Sequence, residues 1–222
     1  MQSSAVLKAR IEAALGAPYL TWRERPAPEL LPTGIPGLEL PRGAISDVYG
    51  PPCSGRTSLL TAALAEATAR QEVCALIDAT DSFEPASAVA AGADLDRILW
   101  VRCGGRPDKA LIIADLIIQA GGFGLVALDL AGIAPAVARR IPLASWYRFR
   151  RAIENTPAAM LVIEREPTAK AAASLVVEMR RGGVEWSGTP ECSRLLRGLR
   201  IEAVPRKPAA CESVRFDARA SA

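Results

Sequence analysis

The sequence predicts an α/β fold: a mostly parallel central sheet with helices on both faces and antiparallel strands at its C-terminal edge. Three observations carry this. Short apolar runs alternate with segments of helical periodicity from Ala44 to Glu164. The first of these runs passes through the loop Gly50-Pro-Pro-Cys-Ser-Gly55 straight into a helix. Two later runs, ending at Asp78 and Asp129, are apolar up to a terminal acid. The chain has 222 residues, 50% of them hydrophobic, enough for one sizeable core.

Ser4 is placed to cap a short helix over Ala5 to Leu15, where Leu7, Ile11 and Leu15 recur at helical spacing and Gly16 ends it. That helix either packs on its own core or docks on a neighbouring subunit or partner. Pro18 to Pro41 is rich in Pro and Gly, hence extended or turned, and is the best linker candidate. Strands follow at Ala44 to Tyr49, Val73 to Asp78, Ile98 to Arg102, Gly124 to Asp129 and Ala159 to Glu164. Helices are expected over Arg56 to Arg70, Pro107 to Ala120 and Leu143 to Asn155. Ser174 to Met179, Leu199 to Val204 and Ser213 to Asp217 add strands without long helices between them, so that edge is mixed or antiparallel. The division is an N-terminal arm over 1–30, a core over 31–208 and a short C-terminal strand or tail over 209–222.

Composition excludes several chemistries. There is no histidine, which removes Ser-His-Asp triads and His-containing zinc sites. The five cysteines (Cys53, Cys74, Cys103, Cys192 and Cys211) show no metal-type spacing and read as thiols in a reducing cytoplasm. The net charge is +3, and of 27 basic residues only Lys8, Lys109, Lys170 and Lys207 are lysines. An arginine-rich composition follows from a GC-rich genome, or lines a surface for phosphates. The most hydrophobic region, Ala110 to Ala138, is interrupted by Asp115, Gly121-Gly122 and Asp129, too broken for a membrane span. A cytoplasmic protein is expected.

The segment Gly50-Pro51-Pro52-Cys53-Ser54-Gly55-Arg56-Thr57-Ser58 is a phosphate-binding P-loop in every respect but one. Its glycines let the backbone curl so that N–H groups point at phosphate oxygens. Thr57 would place its hydroxyl on Mg²⁺, and Asp129, an acid ending an apolar strand beside such a loop, fits the magnesium-orienting position. Arg56 stands where the pattern has lysine; it keeps the charge but is planar and forked, so the exchange is not conservative. Ligands in open parallel sheets sit beyond the carboxyl ends of the strands, where Gly50, Asp78 with Thr80 and Asp81, and Asp129 all fall.

These residues resemble the RecA recombinase core. The matching pieces are Pro32-Thr-Gly-Ile-Pro-Gly-Leu38, Pro41-Arg-Gly, Tyr49-Gly-Pro, Val73 to Ala79, Glu84-Pro85, Gly92 to Leu99 and Asp129, with a weaker continuation through Ala171 to Arg181 and Gly198 to Lys207. The resemblance implies a RecA-like P-loop NTPase core that binds ATP or ADP with Mg²⁺, and without the family's small C-terminal domain. The departures are as informative. Arg56 replaces the loop lysine, Thr80 the glutamate that activates water, Ser87 the aromatic residue stacked on adenine, and Arg165 the glutamine that senses the γ-phosphate. Asp81, one residue along, is the only candidate catalytic acid. Weak or no ATP hydrolysis is expected.

The stretches that correspond to the family's DNA-gripping loops, around Pro135 to Pro142 and Glu166 to Lys170, are short. Arg139, Arg140, Arg148 and Arg151 nevertheless provide positive charge for single-stranded DNA, or form a solvated face. Trp146 and Tyr147 either stack bases or belong to the core, which is the commoner use of aromatics in a short amphipathic helix. A looser resemblance, resting on size, trimmed loops and Leu195 to Glu202, is to the RecA-like accessory proteins of bacterial translesion mutasomes, the ImuA type. It implies a role in SOS-induced DNA repair beside a Y-family polymerase-like or other repair protein. The RecA resemblance implies self-association through the N-terminal helix, which could equally fold back on its own core. Two alternatives stand: an active DNA-dependent ATPase using Asp81, and an empty loop in which Arg56 pairs with Asp129 or Asp81.

Overall fold

The computed structural model describes residues 29–169, 171–188, 194–208 and 212–219, together with Ala13. The expected N-terminal helix lies outside them apart from that residue. The chain starts with a hairpin of β1 (Leu30–Ile35) and β2 (Leu38–Pro41). This corrects the linker reading for Leu30 to Pro41; the part of that stretch before residue 29 lies outside the described residues. Leu31, Ile35, Leu38 and Leu40 of the hairpin are buried, and the Thr33 hydroxyl donates to the Leu38 carbonyl at 2.5 Å across its turn.

The main sheet contains β3 (Ala44–Tyr49), β4 (Cys74–Asp78), β5 (Ile98–Arg102), β6 (Leu125–Asp129), β7 (Ala159–Glu164), β8 (Leu175–Ser187), β9 (Leu195–Lys207) and β10 (Val214–Arg219). Their order across the sheet is β10-β9-β8-β3-β7-β6-β4-β5. Strands β3 to β8 run parallel, whereas β9 pairs antiparallel with both β8 and β10. The mixed edge therefore forms where the long intervening helices stop. β8 and β9 are each 13 residues long, about twice the length of the expected strands.

Central strands β3, β4, β6 and β7 are buried on both faces, which explains their continuous apolar runs. One face is covered by α1 (Arg56–Ala69) and the hairpin, with Leu59, Leu60, Ala63 and Leu64 packed inward. The short α2 (Pro85–Ala90) joins this side through Ala88. The other face is covered by α3 (Pro107–Ala120) and α5 (Leu143–Ile153), with α4 (Pro135–Ala138) contributing Ala138. Trp146 and Phe149 of α5 are fully buried and meet edge to face, ring centroids 5.8 Å apart. Of the two readings of Trp146, the core reading holds. Trp146→Ala empties the largest buried side-chain volume on this face and lowers unfolding free energy by about 3–5 kcal/mol, measured by urea denaturation.

Among the described residues, no helix is long and apolar enough to cross a membrane.

Candidate functional site

β3 delivers the chain into the Gly50–Ser58 loop at the carboxyl edge of the sheet, and α1 begins at Arg56. Two glycines make the loop possible. A Cβ on Gly50 would lie 2.4 Å from the Met179 carbonyl oxygen, and Gly55 has a φ of +89° with Ile201 of β9 pressed against it. Cys53 also takes a left-handed conformation, with φ of 60°. Pro51, Pro52 and Cys53 are exposed, whereas Ser54 is buried. The main-chain amides from Cys53 to Ser58 have no acceptor among the described residues. Unpaired amides at the N-terminus of a 14-residue helix give positive potential suited to phosphate.

Arg56 is turned into the protein. Its guanidinium is mostly buried, and Nη1 donates to the main-chain oxygen of Glu164 at 2.7 Å. The same oxygen accepts from the Gly50 amide at 3.3 Å, so the end of β7 holds both ends of the loop. Burial lowers the Arg56 pKa, Asp129 opposes this, and the neighbouring positive charge of Arg165 lowers it further. The expected alternative of an ion pair with Asp129 or Asp81 is not what is found: the acceptor is a backbone carbonyl.

The strand-end acids are individually committed. Asp78 accepts from the amides of Thr80, Ser82 and Phe83 at 3.2, 3.1 and 2.9 Å, and so shapes the turn after β4. Asp81 has a φ of 57° and pairs with Arg102 at the end of edge strand β5, 3.3 Å away. Its carboxylate is thus held on the side of β4 that faces away from β6 and the loop. Thr80 packs closely over Gly132, where a Cβ would come within 2.3 Å of the Thr80 hydroxyl. Asp129 is 5% exposed; one oxygen accepts from the Ala131 amide at 2.8 Å and the other from the Ser82 hydroxyl at 3.3 Å. Burial, then the neighbouring Asp78, push its pKa up.

Thr57 and Asp129 are the residues that would hold magnesium. The ion demands near-octahedral oxygen ligation, much of it from water and phosphate. Thr57 is exposed at the head of α1 and has a hydroxyl to give, and each Asp129 oxygen accepts one hydrogen bond and keeps a lone pair for the ion or its water.

Glu164, at the end of β7, was not singled out by sequence. It is 1% exposed; its carboxyl accepts from the Thr168 amide and hydroxyl at 2.5 and 2.7 Å, with the buried Asp47 carboxyl near enough to act on its titration. Two neighbouring buried carboxyls resist ionising together. Burial raises the Glu164 pKa above its ordinary value of 4.5. The native state then binds the proton more tightly than the unfolded chain. Its stabilising contribution is complete below pH 4.5 and is lost as pH rises through the raised folded-state value. Glu164→Gln keeps the shape without ionising. The stability difference between wild type and this variant, from urea unfolding at stepped pH, should move against wild type as pH rises through that window; a pH-independent difference would contradict the assignment.

Beside the loop opens a cleft of about 910 Å³. It is lined by Thr57, Ser58 and Thr61 of α1, Ser87 of α2 and Phe216 of β10, among others. The volume suits a nucleoside. Sequence reading placed Ser87 here but missed Phe216; the available signal was the Val214, Phe216, Ala218 alternation of a half-buried strand.

The expected DNA-contacting arginines divide. Arg139 pairs with Glu166, with Nε and Nη2 both donating at 2.8 and 2.5 Å, and Arg148 pairs with Asp115 at 3.0 Å. Arg140 and Arg151 are exposed and have no ion-pair partner among the described residues.

Residues 31–140 match the RecA N-terminal domain family. The RecA protein of Acidiphilium cryptum is 34% identical over 142 residues, an alignment that covers 57% of this chain and 40% of the relative. The RecA protein of Leifsonia xyli is 36% identical over 123 residues, 50% of this chain and 33% of the relative. The chain thus spans well under half of these relatives. A crystal structure of the RadB recombinase superposes with a TM-score of 0.63 at 16% identity, over 86% of this chain and 96% of that one, a likeness of fold.

Proposed function

Because this chain carries a RecA-family core over residues 31–140, we propose that it is a nucleotide-holding protein of DNA repair that binds ATP or ADP at Gly50–Ser58 and turns it over little or not at all. The observation that carries this reading is the contrast between an intact phosphate cradle and the absence of an available base. Six consecutive loop positions, Cys53 to Ser58, offer unpaired amides. The acids that could polarise water are each occupied: Asp78 by three amides, Asp81 by Arg102, and Asp129 by Ala131 and Ser82. Thr80 cannot accept a proton usefully. Phosphoryl transfer depends on positioning a nucleophile against stabilised charge, and the positioning half is missing.

The base is assigned to the cleft beside α1, with Phe216 in the stacking role that Ser87 cannot fill. Work on DNA is proposed through contact: single-stranded DNA over Arg140 and Arg151, which have no ion-pair partner among the described residues, a Y-family polymerase-like or other repair protein as partner, and self-association through the N-terminal segment that the sequence expects to be helical. The SOS-linked accessory role belongs to the same proposal. The alternative, an active ATPase using Asp81, requires the Asp81–Arg102 pair to open.

Thermal unfolding with ADP and ATP, alongside phosphate release with and without single-stranded DNA, tests the reading. Stabilisation by nucleotide without release is expected; at 100-fold excess over Kd it amounts to about 2.7 kcal/mol. Release that disappears in Asp81→Ala would replace this reading with the ATPase.

A further inference from the structure

We propose that the outer end of the β8–β9 ribbon is a docking surface for an acidic protein segment that carries apolar side chains and is taken up as an extended strand. This surface uses none of the residues assigned to the nucleotide, and it goes beyond that reading.

The two strands outrun the rest of the sheet. β3 pairs with β8 only as far as Glu178, and β10 pairs with β9 only from Ala203 to Gly198. Beyond those points Trp186 lies opposite Leu196, and Ser187 opposite Leu195. Over residues 184–187 the edge of β8 away from β9 pairs with no other strand among the described residues. Its main-chain donors and acceptors can therefore receive a further strand. Such edges are normally blunted by charge, but this one ends in apolar side chains. Trp186, Leu195 and Leu196 are 51, 61 and 42% exposed. The Arg194 guanidinium lies over the Trp186 ring, 5.7 Å from its centroid. Arg181, Arg194 and Arg197 are exposed and have no ion-pair partner among the described residues, whereas Arg180 and Arg200 of the same strands pair with Glu178 and Glu185.

Tryptophan and arginine are the side chains that dominate the energetics of protein interfaces. The surplus of unpaired arginines decides the sign of the partner. Covering them with a neutral or basic segment would strip their water and return nothing, whereas carboxylates restore what is lost. One extended segment can meet both needs. Its successive side chains point to opposite faces, so residues of one parity lie over Trp186 and Leu196 while acidic neighbours reach the arginines. Nucleic acid satisfies the surface less well. Leu195 and Leu196 offer nothing to a phosphate or a base edge, one face of the indole is already covered by Arg194, and the half-exposed Glu185 would repel phosphate. A second copy of the ribbon would set the same unpaired arginines against one another.

The experiment selects short random peptides displayed on phage against the full chain, with the Trp186→Ala variant as counter-selection, and measures the enriched peptides by fluorescence anisotropy. Enriched sequences should be acidic, with apolar residues alternating among the carboxylates. Trp186→Ala should weaken their binding by about tenfold or more, as for an interface anchor. Arg194→Glu combined with Arg197→Glu should weaken it at least as much and favour the same peptide with its acids changed to lysine. Because these side chains are exposed, the melting temperatures of the variants should match wild type. Enriched peptides that are basic or uncharged, binding that survives Trp186→Ala, or no enrichment over the counter-selection would overturn the proposal. Two further results would overturn it by giving the surface to another occupant: Trp186-dependent binding of labelled oligothymidylate without peptide enrichment, and Trp186-dependent dimerisation in analytical ultracentrifugation.

Discussion

Thr80→Glu combined with Arg56→Lys and Arg165→Gln should release phosphate from ATP about two orders of magnitude faster than wild type, whereas Arg56→Lys alone should change the rate by no more than about threefold. The asymmetry follows from which component is limiting. A positioned general base contributes roughly 10²–10⁴-fold, and no carboxylate is free to act as one. Arg56 already supplies positive charge, so exchanging it for lysine alters geometry but not the missing step. Arg165→Gln restores the side chain that the RecA resemblance places at the end of β7, beside the site. Thr80 packs against Gly132 at the end of β4, where the RecA resemblance places the glutamate. Asp81→Ala in the wild-type background should leave release unchanged, since that carboxylate is held by Arg102 at 3.3 Å. Full recovery from Arg56→Lys alone would place the defect in the loop and not at Thr80.

Gly55→Ala should cost about 2–5 kcal/mol of stability and remove measurable nucleotide binding. The backbone there has a φ of +89°, which costs an L side chain about 1–2 kcal/mol. The added Cβ would also lie 2.3 Å from Cδ1 and 2.7 Å from Cγ1 of Ile201, a side chain with 1% exposure and little room to retreat. Overpacking of this kind costs about 1–3 kcal/mol. Relief comes through movement of the loop itself, which scatters the amides that form the phosphate cradle. Ile201→Ala in the Gly55→Ala background removes the clash but not the left-handed strain. It should therefore recover part of the affinity by titration and leave a deficit of about 1–2 kcal/mol in urea unfolding relative to the Ile201→Ala single variant, which carries the cavity cost alone. Unchanged affinity in Gly55→Ala would mean that β9 does not brace the loop.

Much of the fold was legible because fully buried parallel strands have a simple signature. β3, β5 and β7 fall where the apolar runs predicted, and α3 begins and ends as its periodicity suggested. The hairpin β1–β2 was hidden by Pro32, Pro36 and Pro41, which signal chain breaks, although its turn and edges accommodate them. β8 and β9 run past the expected ends because their outer halves are exposed and arginine-rich. Arg180-Arg181 and Gly182-Gly183 interrupt the apolar pattern, while the pairing continues to Ser187↔Leu195 through irregularities in register. Within the site, residue types announced the loop, Thr80 and Arg165. They could not announce that Arg56 would bond to the Glu164 carbonyl, because a main-chain acceptor has no sequence signature. Nor could they show that Asp81 would be drawn to Arg102, a pairing between loop and edge strand that only the β4–β5 register creates.

The central claim is that nucleotide is held and not consumed. It is tested most directly by mixing γ-labelled ATP with protein in excess, in Mg²⁺ and single-stranded DNA, and following the chemical identity of the protein-bound label over time. Intact ATP retained on the protein, with free phosphate rising no faster than in buffer, is the result this account predicts. Conversion of the bound label to free phosphate within minutes, abolished by Asp81→Ala, would contradict it.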